Sequence, residues 1–165
     1  MKQILISLCL IAGLGFDASA QKTDLTKYVN TLQGTNSKHE LTRGNTYATT
    51  ALPWGMNFWT PQTGPNGSGW IYQHFKDSIR GFRQTHQCSS WTNDYSAFSL
   101  MPVTGKLEVN QYKRAAKFSH KNEIAHPDYY KVTFDNKITT EMSPTERGVP
   151  VSYTHLRAHE TDSYL

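Results

Sequence analysis

The feature that most constrains this chain is a stretch that alternates apolar and polar residues, turns, and alternates again. Tyr130-Lys131-Val132-Thr133-Phe134 gives each face of a strand its own residue type. Asp135-Asn136 follows as a turn, and Lys137 to Met142 reads as the return strand. The pair predicts a β-hairpin, with Asp-Asn tolerating the left-handed backbone of a tight turn. Lys106-Leu107-Glu108-Val109 alternates in the same way. No window of about twelve residues keeps apolar positions at i, i+3, i+4 and i+7 without an interrupting Gly, Pro or β-branched cluster. Residues 61–69, "PQTGPNGSG", read as a surface loop, and its Asn66-Gly67-Ser68 fits a glycosylation acceptor or a turn equally well. The expectation is an all-β chain: an antiparallel β-sandwich, or part of one.

The two ends read differently. Lys2, the apolar run Ile4 to Leu14 and Ala18-Ser19-Ala20 have the form of an export signal over residues 1–20. The run is shorter than the roughly 20 residues a bilayer span needs. Cys9 lacks the small preceding residue of a lipidated cysteine, so the expected mature start is Gln21, in a periplasmic or extracellular protein. From Pro150 the sequence "PVSYTHLRAHETDSYL" loses the strand-and-turn rhythm and resembles a translated sequencing adapter. Residues 150–165 are therefore expected to lie outside the domain, which is set at 21–149, and His155 and His159 are not read as a metal pair.

What lies between is enough for one core. Charged residues make up 18% of the chain and the net charge of +4 is scattered, which gives nucleic-acid binding no support. Trp54, Trp59, Trp70 and Trp91 cluster instead, a composition suited to sugars, whose apolar faces stack on rings. Without the signal one cysteine remains, Cys88, so no intrachain disulfide is available. His86 lies two residues away, and Cys88 is read as a small gap-filling side chain rather than a nucleophile.

Residues 70–102 carry the densest chemistry: Trp70, Tyr72, His74, Arg80, Arg83, His86, Trp91, Asn93, Asp94 and Tyr95, without a clean apolar face. Rings for stacking, mixed with directed hydrogen-bond donors and acceptors, are what a sugar pocket requires. A strand-loop-strand unit that satisfies its own backbone explains the spacing equally well.

Five blocks then carry a resemblance: "YVNTLQGT" (28–35), "GNTYATTALPWGMNFWTPQTG" (44–64), "IRGFRQTHQCSSWTNDYSAFSLMPVTG" (79–105), "FSHKNEIAHPDYYKV" (118–132) and "ITTEMSPTERG" (138–148). In this order they resemble the N-terminal domain of family 92 glycoside hydrolases. The third block is the most specific. The resemblance implies a β-sandwich followed by a helical catalytic domain, calcium dependence, and inverting hydrolysis of terminal α-mannosidic bonds in mannose-containing glycans. It implies that Trp91, His86, Asn93, Asp94 and Arg83 face the substrate, with Trp91 equally able to serve as a core anchor. Cys88 and Ser90 stand where relatives tend to carry prolines, and the match stops beyond Gly148.

Inversion needs an acid and a base about 6.5–9.5 Å apart. In the family both belong to the helical domain, so no catalytic residue is assigned in this chain and the isolated chain is expected to be inactive. The calcium ligands belong there too, and no metal ligand is assigned. His120-x-x-Glu123-x-x-His126 has the look of a metal triad, but Pro127 and the lack of a helical pattern deny it a common face. A secreted carbohydrate-binding domain needing no partner is the alternative.

Overall fold

The computed structural model describes residues 24–36, 48–64, 72–85 and 98–155. Within them, after a single 3-10 turn at Thr26–Tyr28, every regular element is a strand: β1 (Phe58–Gln62), β2 (Ser78–Ile79), β3 (Gly81–Thr85), β4 (Ser99–Leu100), β5 (Ala116–Ala125), β6 (Tyr130–Phe134), β7 (Ile138–Met142) and β8 (Val151–His155). They form two antiparallel sheets, one ordered β1-β3-β4 and the other β2-β5-β6-β7-β8. The expected all-β sandwich is the observed architecture.

Period-two burial explains how the sheets meet. Tyr130, Val132 and Phe134 of β6 and Ile138, Thr140 and Met142 of β7 point inward, alternating with half-buried neighbours. Phe82 of β3 reaches across from the other sheet, its ring centroid 6.0 Å from that of Tyr130 and 6.2 Å from that of Phe134. Trp59, Ile79 and Phe118 complete this core. Burying each such side chain contributes about 1.5–3 kcal/mol before entropy is charged against it. β2 and β3 are almost continuous, separated by Arg80, so one stretch of chain leaves the large sheet and enters the small one.

The hairpin is present, with Tyr130↔Met142 through Thr133↔Thr139 in register. Its turn differs from expectation. The left-handed residue is Lys137, at φ 69°, and neither Asp135 nor Asn136 has positive φ. The loop thus has three residues with the last left-handed, a common hairpin solution. The Asn136 side chain instead accepts from the Ile138 N–H at 3.2 Å.

Lys106 to Val109 is not a strand. Leu107 and Val109 are exposed, and among the described residues no strand pairs with them. Alternation over four residues marks a face only when another strand satisfies the backbone. Residues 151–155, which lie beyond the expected end of the domain, form β8 and pair with β7 from Ile138↔His155 to Met142↔Val151. Four of these five residues are exposed, so this strand is held mainly by its main chain.

Candidate functional site

Of the five expected site residues the structure describes one. Arg83 lies in β3, opposite Thr60 of β1 and Ser99 of β4. Phe82 faces the core, so its neighbour Arg83 belongs to the other face of the small sheet, with Thr60 and Gln62. That face is polar yet covered: Arg83 is only 8% exposed, and Thr60 and Gln62 are buried. Burial lowers the Arg83 pKa from its ordinary value, although a guanidinium stays charged at neutral pH. His86, Trp91, Asn93 and Asp94 lie outside the described residues, as do Cys88, the Asn66 sequon and the export signal.

Asn57 fixes the small sheet from one end. Its Oδ1 accepts from Trp59 Nε1 at 2.8 Å and from Gln84 Nε2 at 3.0 Å, and its Nδ2 donates to the Gly148 carbonyl at 2.6 Å. One buried amide thereby joins β1, β3 and the connection into β8.

A second cluster joins His120 and Glu123, which the sequence offered only as a rejected metal triad, to Tyr72 and Tyr130. The Glu123 side chain is 1% exposed. Its carboxyl group accepts from Tyr130 Oη at 2.7 Å and from Tyr72 Oη at 3.0 Å to each oxygen, and lies 2.7 Å from His120 Nδ1. Burial first, and the Glu123 charge second, raise the pKa of both tyrosines.

His120 and Glu123 are three apart, a spacing that puts side chains on opposite faces of a regular strand. They meet because the register slips between Phe118↔Phe134 and Glu123↔Val132. The bulge re-aims the strand, so these two residues gain the common face that the sequence seemed to deny them. His126 does not join them; its N–H donates to the Tyr129 carbonyl at 2.8 Å. Among the described residues no three His, Cys, Asp or Glu side chains are grouped to hold a metal. With every approach occupied by a protein donor, Glu123 is an anchor and not a group that substrate can reach.

The third feature is a turn. Pro53-Trp54 is closed by the Gly55 N–H on the Leu52 carbonyl at 3.0 Å, and Met56 N–H ties it to the Glu146 carbonyl at 2.9 Å. Trp54 has φ 64° and is 99% exposed. A bulky residue in the left-handed region is strained, and this third turn position normally falls to Gly or Asn. Beside it lies a cleft of about 540 Å³ walled by Leu25, Val29, Leu52, Phe58 and Pro127, with Asp128 at its edge. Leu25 and Val29 on its walls are exposed. Trp54 entered the sequence reading only as one of four clustered tryptophans.

The family described as the glycosyl hydrolase family 92 N-terminal domain matches residues 28–164, a span that runs past residue 149. Among solved structures, the chain is 47% identical to a family GH92 inverting mannosidase from Bacteroides thetaiotaomicron, with a TM-score of 0.77. That alignment covers 85% of this chain and 19% of the mannosidase. A family GH92 alpha-mannosidase from the same organism, in complex with mannoimidazole, is 26% identical with a TM-score of 0.69, covering 81% of this chain and 18% of the other. A search of curated proteins gave no match. With the two-sheet fold in place and the match running through most of its length, this chain belongs to the family of the glycosyl hydrolase family 92 N-terminal domain.

Proposed function

We propose that this chain is the N-terminal domain of an exported α-mannosidase that removes terminal α-linked mannose from glycans with inversion. The observation that carries the reading is the 47% identity to an inverting mannosidase over 85% of the chain. In this reading the domain shapes one wall of a sugar pocket, where Trp91 stacks on the mannose ring and His86, Asn93 and Asp94 bond its hydroxyls. Arg83 orients a neighbouring carboxylate from the covered polar face of the small sheet. The apolar cleft beside Trp54 is a surface for the helical catalytic domain.

Calcium is part of the family expectation, but the described residues do not fit such a site. Calcium takes six to eight oxygens, and among those residues no three carboxylates or histidines converge. Residues 150–165 are, in the same reading, foreign to the native gene; against it stands the family match, which runs to residue 164, and for it a β8 that pairs through its main chain with mostly exposed side chains. Sequencing the gene across codon 150 tests that.

The functional test is hydrolysis of an aryl α-mannoside by the longer protein containing this domain, with the anomer of the first product read by NMR. β-Mannose is expected. In that protein Trp91→Ala should lower kcat/KM by the equivalent of about 1–3 kcal/mol, the scale of a lost stacking platform on nucleic-acid bases, applied here to a sugar. The 165-residue chain alone should turn nothing over. Retained α-configuration, or turnover by the isolated chain that a substitution within it abolishes, would overturn the proposal.

A further inference from the structure

The Glu123 cluster has a proton inventory that its geometry fixes. His120 Nδ1 lies 2.7 Å from Glu123 Oε2, and its Nε2 lies 2.6 Å from the main-chain carbonyl of His74. A carbonyl oxygen only accepts, so Nε2 carries a proton. Glu123 already accepts from two tyrosine hydroxyls, which favours its carboxylate form, so Nδ1 carries a proton as well. Even if that proton sat on Glu123, the pair would hold one proton more than a neutral imidazole beside a carboxylate.

We propose that His120, Glu123, Tyr72 and His74 form a proton-dependent clamp fastening the segment before β2 onto the bulge of β5. The clamp is closed while the His120–Glu123 pair holds its extra proton.

Three elements meet here. The segment before β2 contributes Tyr72 and the His74 carbonyl, β6 contributes Tyr130, and β5 contributes His120 and Glu123. Among the described residues the one ion pair at the cluster is His120–Glu123. The other titratable group facing His120 is His74, whose ring stacks on it at 3.9 Å and 9°. Burial first, and the neighbouring His120 second, lower the His74 pKa, with Glu123 acting the other way. Phe118 closes the remaining side, edge-on at 5.0 Å. His120 is one-third exposed, so protons can exchange with solvent, while Glu123 is sealed.

The charge-assisted bonds to Glu123 and to the His74 carbonyl exist together only with the extra proton present. Raising the pH removes that proton, and one of the two contacts then becomes a lone pair facing an oxygen. Segment 72–74 runs straight into β2 and β3, so what loosens is the approach to Arg83.

The test uses the whole 165-residue chain. Gln73 and His74 amides donate to Thr63 Oγ1 at 2.9 Å and to the Thr35 carbonyl at 3.1 Å. Their hydrogen exchange, corrected for the intrinsic rate, should lose about tenfold in protection between about pH 5.5 and about pH 8.5, while the β6–β7 amides keep theirs. His120→Gln should erase that pH dependence, and His74→Gln, which keeps the carbonyl, should retain it. Equal protection at both pH values, or pH dependence that survives His120→Gln, overturns the clamp. Should His120→Gln fail to fold, imidazole ¹⁵N shifts of the native chain decide. Two protonated nitrogens at about pH 6 support the proposal, and a single neutral tautomer there refutes it.

Discussion

The main chain at Gly81 passes so close to Ser99 that a Cβ at residue 81 would stand 2.1 Å from the Ser99 Oγ. The glycine is set by this approach of β3 to β4 and not by an unusual backbone angle. Ser99 Oγ is itself buried and has no hydrogen-bond partner among the described residues, so its removal sacrifices no bond there.

This gives a double-mutant prediction. Gly81→Ala should cost about 1–3 kcal/mol by overpacking, and Ser99→Ala should be neutral or slightly stabilising. The pair should be less damaging than the sum, because the clashing oxygen is gone. Part of the cost stays, since the Leu100 carbonyl remains 3.1 Å from the new Cβ. Urea unfolding of the four proteins measures the coupling; strict additivity would mean that the contact relaxes without effort.

Trp54 supports a prediction with two readouts. Its left-handed backbone costs about 1–2 kcal/mol for an L-residue, and its side chain, wholly exposed, recovers nothing within the domain. Trp54→Gly should leave stability unchanged or raise it by up to about 1 kcal/mol after the entropy of glycine is counted. In the longer protein the same change should weaken domain association, if the cleft beside it is the docking surface. A destabilised isolated domain would show that Trp54 packs on something.

The sequence made the sheets legible where strand and partner are neighbours. Tyr130 to Met142 alternates, turns and returns within one window, so periodicity alone finds it. Lys106 to Val109 alternates as well, but has no partner strand among the described residues. The Glu123 cluster was hidden for a different reason. Tyr72 is 51 residues from Glu123, and a bulge that reverses the facing of His120 and Glu123 leaves no periodic trace. For the candidate site, Arg83 was singled out by its residue type and by the family resemblance, and its burial opposite Thr60 came only from the fold. Trp54 was one tryptophan among four, and nothing in its neighbours signalled full exposure.

A third prediction concerns alkaline pH. In the unfolded chain tyrosines ionise near about 10. In the fold, partial burial and the bond to Glu141 push Tyr129 up to about 12, and Tyr72 and Tyr130 are raised by burial beside Glu123. Folded values above unfolded ones mean that stability is intact below about pH 10 and drains as pH climbs through the folded values. Tyrosinate absorbance should therefore rise in two stages, the second coinciding with loss of β-sheet circular dichroism. Tyr130→Phe should shrink that second stage while costing about 1.5–3 kcal/mol at neutral pH, the worth of a bond to a charged acceptor. A single titration near pH 10 with the sheet intact would contradict the buried placement.

The last prediction separates the two strands at the end of the large sheet. Ile138, Thr140 and Met142 of β7 are buried, and Ile138 and Met142 belong to the core that also holds Val132 and Phe134. Met142→Ala should cost about 2–5 kcal/mol, from the lost transfer energy and the cavity left behind. Across the register, Ser152, Tyr153 and Thr154 of β8 are exposed, and only Val151 packs on the core. Replacing those three with other strand-forming polar residues should change stability by no more than about 0.5 kcal/mol. Their main-chain pairing with β7 is unaffected by such exchanges, and β-propensity differences span only about 1 kcal/mol. Thermal unfolding of Met142→Ala and of a triple exchange at 152–154, against the parent chain, decides the matter. A large loss from the triple exchange would mean that β8 side chains contribute to the fold, which would also count against their being foreign to it.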